Sequence, residues 1–250
     1  MATDPIHQFQ IVDYFPVMKI GHTEIAFTNS AAYMALAVAI IAVLTIGGTA
    51  KRSLVPGRLQ SIAELSSEFV ADTIRSTAGK EGMRFFPFVF SLFMFILVVN
   101  LVGLIPYTFT VTTHIIVTAT LALSVFATVL VYGFWKNGLH FFNLFVPKGI
   151  PIYILPLIVF IEVLSFLSRP ISHSVRLFAN MLAGHITLKV FASFIILLGG
   201  AGIFGMAGAA LPLALVVALT ALELLVAFLQ AYVFAILTCI YLNDAIHPGH

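Results

Sequence analysis

Glu162, Arg169, Arg176, Lys189 and Glu223 are five formal charges set inside the last two long apolar stretches of a 250-residue chain. An ionised side chain at the centre of a membrane span costs about 2.5–3.5 kcal/mol on insertion scales, so such residues face a protein interior or a water cavity unless they snorkel from a helix end. Snorkelling competes as a reading for Lys189 and Arg169 and has little weight for Arg176 and Glu223. The chemistry on offer is of two kinds. Histidine and carboxylate groups exchange protons near neutral pH, whereas a guanidinium keeps its charge.

On a helix of about 100° per residue, Glu162, Ser165, Arg169, Ser172, Arg176 and Asn180 step by three or four and form one polar stripe. Ala179 and Ala183 lie near it and let another helix approach closely. His185 is nine residues beyond Arg176, on roughly the opposite face, so the two do not share one partner surface. The glycine-rich stretch 199–208 centres a turn near position 204, and the two long elements fold back on it as an antiparallel hairpin. In ideal register His185 then falls opposite Glu223 and Arg176 opposite Tyr232, with Gln230 close by. The pattern reads as two proton-accessible groups of residues separated by a fixed positive charge.

The elements that must hold these residues belong in lipid. Apolar residues make up 61% of the chain and charged residues 9%, against about 45–50% and about 25% in soluble domains. So few charges cannot cover a water-soluble surface, and the fold class is an all-α polytopic membrane protein. Residues 1–28 are mixed polar. The run 31–50 is long enough to cross a hydrocarbon core of about 30 Å. Residues 51–84 hold Lys51, Arg52, Arg58, Arg75, Lys80 and Arg84, six bases against Lys19 alone in the N-terminal segment, which places this loop in the cytoplasm and the N-terminus outside. Leu59, Ile62, Leu65, Phe69 and Ile74 recur there at near-helical spacing, as a helix lying on the membrane surface or as a solvated loop helix. Further crossings cover 85–106 and 114–135, joined by a connection without a base. Lys136 and Lys148 flank the next, internal loop.

Three apolar stretches follow at about 151–168, 171–198 and 211–243. The last is about 50 Å of helix and must tilt, kink or protrude. The first two are separated only by Arg169 and Pro170, and proline can kink a membrane helix without ending it. One long element gives five crossings and a cytoplasmic C-terminus; two separate ones give six and an external C-terminus. The reading adopted is five, within a single integral membrane domain over 1–250 whose ion path lies in 151–243.

Other chemistries fail. Cys239 is the only cysteine, which excludes an internal disulfide and a cysteine-based metal site. The charge of +2 gives no basic stripe for nucleic acid. The start of the chain shows no signal peptide. GAGIFG at 200–205 matches a dinucleotide pattern literally but follows a membrane helix and not a strand. His173 and His185 lack the partners a haem would need, and His114 and His140 sit at span ends. No cofactor or metal is expected.

Three segments carry a family resemblance: NLVGLIP at 100–106, RPISHSVRLFANMLAGH at 169–185 and LELLVAFLQAYVF at 222–234. With these the sequence resembles subunit a of the rotary F-type ATP synthases. The resemblance implies that Arg176 faces the carboxylates of a rotor ring of c subunits, that Asn180, His185, Glu223 and Gln230 lie on an outer proton path, and that Glu162 lies on a cytoplasmic one. Some bacterial relatives carry the acid at the position of His185 and the imidazole at that of Glu223, so the chain is similar to the exchanged, mitochondrial-like arrangement. Lys189 has no counterpart in the common pattern; with Arg169, Ser172 and Tyr241 it completes the set of candidate residues. The resemblance also implies b-type peripheral stalk subunits as partners, protons as the transported ion, the bacterial plasma membrane as location, and no nucleotide chemistry on this chain. The other class considered, a free-standing proton-coupled carrier, usually shows two related halves, and no such repeat is visible.

Overall fold

A computed structural model describes residues 11–20, 23–50, 55–105, 108–146, 153–200 and 202–247. Lys51, Arg52 and Lys148, used above to orient the loops, lie outside the described residues. The order is β1 (Asp13–Ile20), β2 (Thr23–Thr28), α1 (Asn29–Ala50), α2 (Arg58–Gly82), α3 (Phe86–Gly103), α4 (Ile115–Asn137), α5 (Leu155–Gly199) and α6 (Gly202–Ile246). Short 3-10 turns stand at Met83–Phe85, Val111–Thr113 and Gly138–Phe145. Five helices among the described residues are long and apolar enough to cross a membrane, α2 and α3 counting together as one. The protein is membrane-embedded and multi-pass, as its composition requires.

The crossings match the apolar runs, and residues 155–199 form one helix. α5 runs for 45 residues straight through Pro170. In lipid a freed backbone group has no water to turn to, so a helix that tolerates one missing bond outlasts the proline. α6 is equally long and starts at Gly202 with φ +84°, so most of the glycine-rich stretch expected to be a turn is helix. A glycine costs about 1 kcal/mol inside a helix, less than unsatisfied backbone exposed to hydrocarbon. The N-terminal segment holds an unforeseen antiparallel ribbon, with Asp13 paired to Thr28 and Ile20 to Thr23. Thr28 closes it by accepting the Ala31 backbone N–H at 3.3 Å, an N-cap for α1.

Backbone contacts gather the chain into two compact units. The first comprises residues 1–41, 95–114 and 177–230; the second comprises 42–94, 115–176 and 231–250. The first is centred on Ile96, Val98, Val99, Phe109, Val111, Leu177 and Ala227, all buried. In the second, Val70, Ile74, Val89, Phe93, Val129, Phe141, Phe166 and Phe234 form the core. α2 buries Val70, Ala71, Ile74 and Ala78, whereas Leu59, Ile62, Leu65 and Phe69 stay exposed. Of the stripe read from its sequence Ile74 is buried, and Phe69, though exposed along one side, sets its ring against Phe93. Gly133 has no side chain because the Phe141 ring occupies that space. At the end of α4, Asn137 donates to the Ala245 carbonyl at 2.7 Å and Lys136 to that of Ile246 at 3.4 Å. These bonds satisfy terminal carbonyls of α6 that have no partner within the helix.

Candidate functional site

In the first unit the C-terminal part of α5 and the first part of α6 lie against each other through Gly184. A Cβ at that position would collide with the Glu223 carboxylate. The hairpin register is therefore within one residue of the ideal pairing of His185 with Glu223. Both Glu223 oxygens are buried and make no hydrogen bond to any described group. His185, 8% exposed, places Nε2 at 3.1 Å from Thr110 Oγ1. Thr110 comes from the short connection between α3 and α4. On the same connection Thr112 donates to Asn100 Oδ1 at 2.9 Å, and Asn100 Nδ2 reaches the Ala227 carbonyl of α6 at 3.5 Å. Asn100, Thr110 and Thr112 are all 0% exposed. Asn180 is exposed, and Lys189 and Gln230 are half-buried. An imidazole and a carboxyl thus lie within one turn's reach of a hydroxyl and amide network.

The second unit holds the other candidates. Arg169 donates to Asp244 Oδ2 at 2.7 Å, and its guanidinium lies 5.1 Å from the Phe166 ring centre and 4.9 Å from that of Tyr241. A cation lying close to aromatic ring faces suits arginine better than lysine. Arg169 is fixed between two rings and an acid, reaching beyond its ideal register partner, Cys239. Ser172 donates to the Arg169 carbonyl at 3.2 Å. Next to this pair, His173 is 4% exposed and packs edge-on against Phe234 with ring centres 3.9 Å apart. Glu162 is half-buried on α5. Tyr232, expected opposite Arg176, packs its ring on Phe69 at 5.4 Å. Arg176 itself is exposed, as is Ser172 one turn before it.

The family model described as ATP synthase A chain matches residues 31–243. A Nitrobacter winogradskyi protein named ATP synthase subunit a is 74% identical over 99% of both chains. A protein of that name from Rhodopseudomonas palustris strain HaA2 is 74% identical over the full length of both, and one from strain BisB18 is 72% identical over 99% of both. The chain belongs to the ATP synthase A chain family.

Within this family member, sequence reasoning placed the two long helices and their acids but passed over Asn100, Thr110, Thr112 and Asp244 as participants. The hydroxyl-rich run TFTVTTH at 108–114 was the available signal for the threonines. So many hydroxyls in a short apolar connection need partners once buried. Asp244 lies just past the apolar stretch 211–243, where hydropathy gives no sign of a partner. Its pairing yields a structural expectation. Asp244→Asn leaves the part-buried Arg169 without its counter-ion, and the purified protein should melt several degrees lower, by about 1–3 kcal/mol. An unchanged melting temperature would remove Arg169 from the structural framework.

Proposed function

We propose that the chain conducts protons in the membrane sector of a rotary ATP synthase, as the stator that exchanges them with carboxylates on a ring of c subunits. The observation that carries this reading is Arg176: a guanidinium standing exposed on a long apolar helix, with Ser172 one turn before it. Lipid does not solvate such a charge, so a partner must bring an anion to it. Lipid-buried carboxylates on another chain fit that demand.

A proton enters from outside, passes the region of His185 and Glu223 with Asn180 and Gln230, and neutralises a ring carboxylate, which can then face lipid. After nearly a full turn the carboxylate meets an aqueous path by Glu162 and releases the proton to the cytoplasm. Arg176 favours the ionised ring carboxylate and blocks direct passage between the two paths. Each charge crossing about 100 mV supplies roughly 2.3 kcal/mol, so several protons serve each ATP. The N-terminus lies outside and the C-terminus in the cytoplasm, the whole chain acting as one membrane domain held to b-type stalk subunits. The exposed Leu59, Ile62, Leu65 and Phe69 of α2 support a helix resting on the cytoplasmic lipid surface.

The test is reconstitution. A small, very apolar, carboxylate-bearing protein should co-purify with the chain, and potential-driven proton flux into vesicles should require both. Solute-coupled transport by the chain alone would replace this reading with a free-standing carrier.

A further inference from the structure

We infer that Thr110 is a positioning residue for His185, a hydroxyl seat that holds the imidazole in one place in both of its protonation states. The inference rests on the reading of His185 as a proton-path residue. Thr110 Oγ1 stands 3.1 Å from His185 Nε2 and 3.4 Å from the Gly103 carbonyl oxygen. A hydroxyl has one hydrogen and two lone pairs, and it rotates. Facing a neutral ring whose Nε2 carries a lone pair, it donates to that nitrogen. In the imidazolium both ring nitrogens carry hydrogen, so Nε2–H donates to Oγ1 and the hydroxyl turns its own hydrogen to Gly103. Neither state leaves a buried donor facing a donor, and no heavy atom moves.

The seat is built from several elements of the first unit. A Cβ on Gly103 would come within 2.7 Å of Thr110 Cγ2, so the bare glycine is what admits Thr110 against α3. Thr113 donates to the Thr110 carbonyl at 2.6 Å and fixes the backbone that presents the hydroxyl. Thr112 ties the next turn to Asn100, and Asn100 ties it to the α6 carbonyl of Ala227. The charged groups bearing on the imidazole come from two helices: Lys189 acts on it from α5, and Glu223 of α6 lies against the adjacent Gly184. From the α3–α4 connection it meets Thr110, a neutral group that serves either charge state of the ring.

The experiment uses the complete synthase in inverted membrane vesicles, with Thr110→Val, Thr110→Ala, Thr110→Ser and His185→Gln compared for ATP-driven pumping over a range of internal pH, the side equivalent to outside. Thr110→Val, isosteric but without a hydroxyl, should assemble and hydrolyse ATP, pump about tenfold more slowly and show a displaced pH profile. Thr110→Ala should match it, and Thr110→Ser should restore both rate and profile. Wild-type behaviour of Thr110→Val and Thr110→Ala overturns the inference. So does equal impairment of all three Thr110 variants, which would assign the effect to loop packing. If His185→Gln pumps normally, the proton-path reading of His185 falls instead, whatever the Thr110 variants do.

Discussion

Arg176→Ala abolishes ATP-coupled proton pumping while the complex still assembles: this is the largest effect expected of any single substitution in the chain. Two unit charges about 4 Å apart attract by about 4 kcal/mol at an effective dielectric near 20, equivalent to roughly a thousandfold bias toward the ionised carboxylate. Alanine removes that bias and the barrier to a direct leak at one stroke. Because Arg176 is exposed on its own chain, the loss falls on the interaction with the partner and not on folding. Arg176→Lys distinguishes charge from permanence of charge. An ammonium can surrender its proton and a guanidinium cannot, so the lysine variant should assemble and leak. Pumping measured by fluorescence quenching in inverted vesicles reads all of this, and full pumping by Arg176→Ala would sink the stator proposal.

The second large effect belongs to Glu223. Its two oxygens are buried and make no hydrogen bond to a described group, so Glu223→Gln breaks no bond the protein uses for stability. The substitution keeps the shape and removes the exchangeable proton. Loss of a positioned acid or base typically costs 10²–10⁴-fold, and pumping should fall by about 10² with assembly and melting little changed. The exchange of Glu223→His with His185→Glu tests proximity. The double variant should recover more flux than either single one, since it restores one acid and one imidazole astride Gly184. Equal loss in all three would argue that the two side chains act apart.

The sequence made some elements plain and hid others for physical reasons. Uninterrupted apolar runs of this length specify membrane helices directly, because a helix is what satisfies the backbone of a single segment within lipid, and α1, α3 and α4 fall within a few residues of those runs. The same rule carries α5 through Pro170 and extends α6 back to Gly202. The ribbon β1–β2 escaped because β1 contains Pro16, which weakens the alternating signal. At the site, helical spacing brought Glu223 to within one residue of its ideal partner. It did not reveal Thr110 or Asn100, whose roles depend on where a connection folds and not on periodicity. Nor did spacing reveal that Arg169 meets Asp244, Phe166 and Tyr241, because Asp244 lies beyond its ideal register partner.

Gly184 and Glu223 lie far apart in the chain, yet the space one leaves empty is the space the other fills. A methyl group at 184 would displace the far end of the Glu223 side chain, so Gly184→Ala would shift where the acid sits without altering the acid itself.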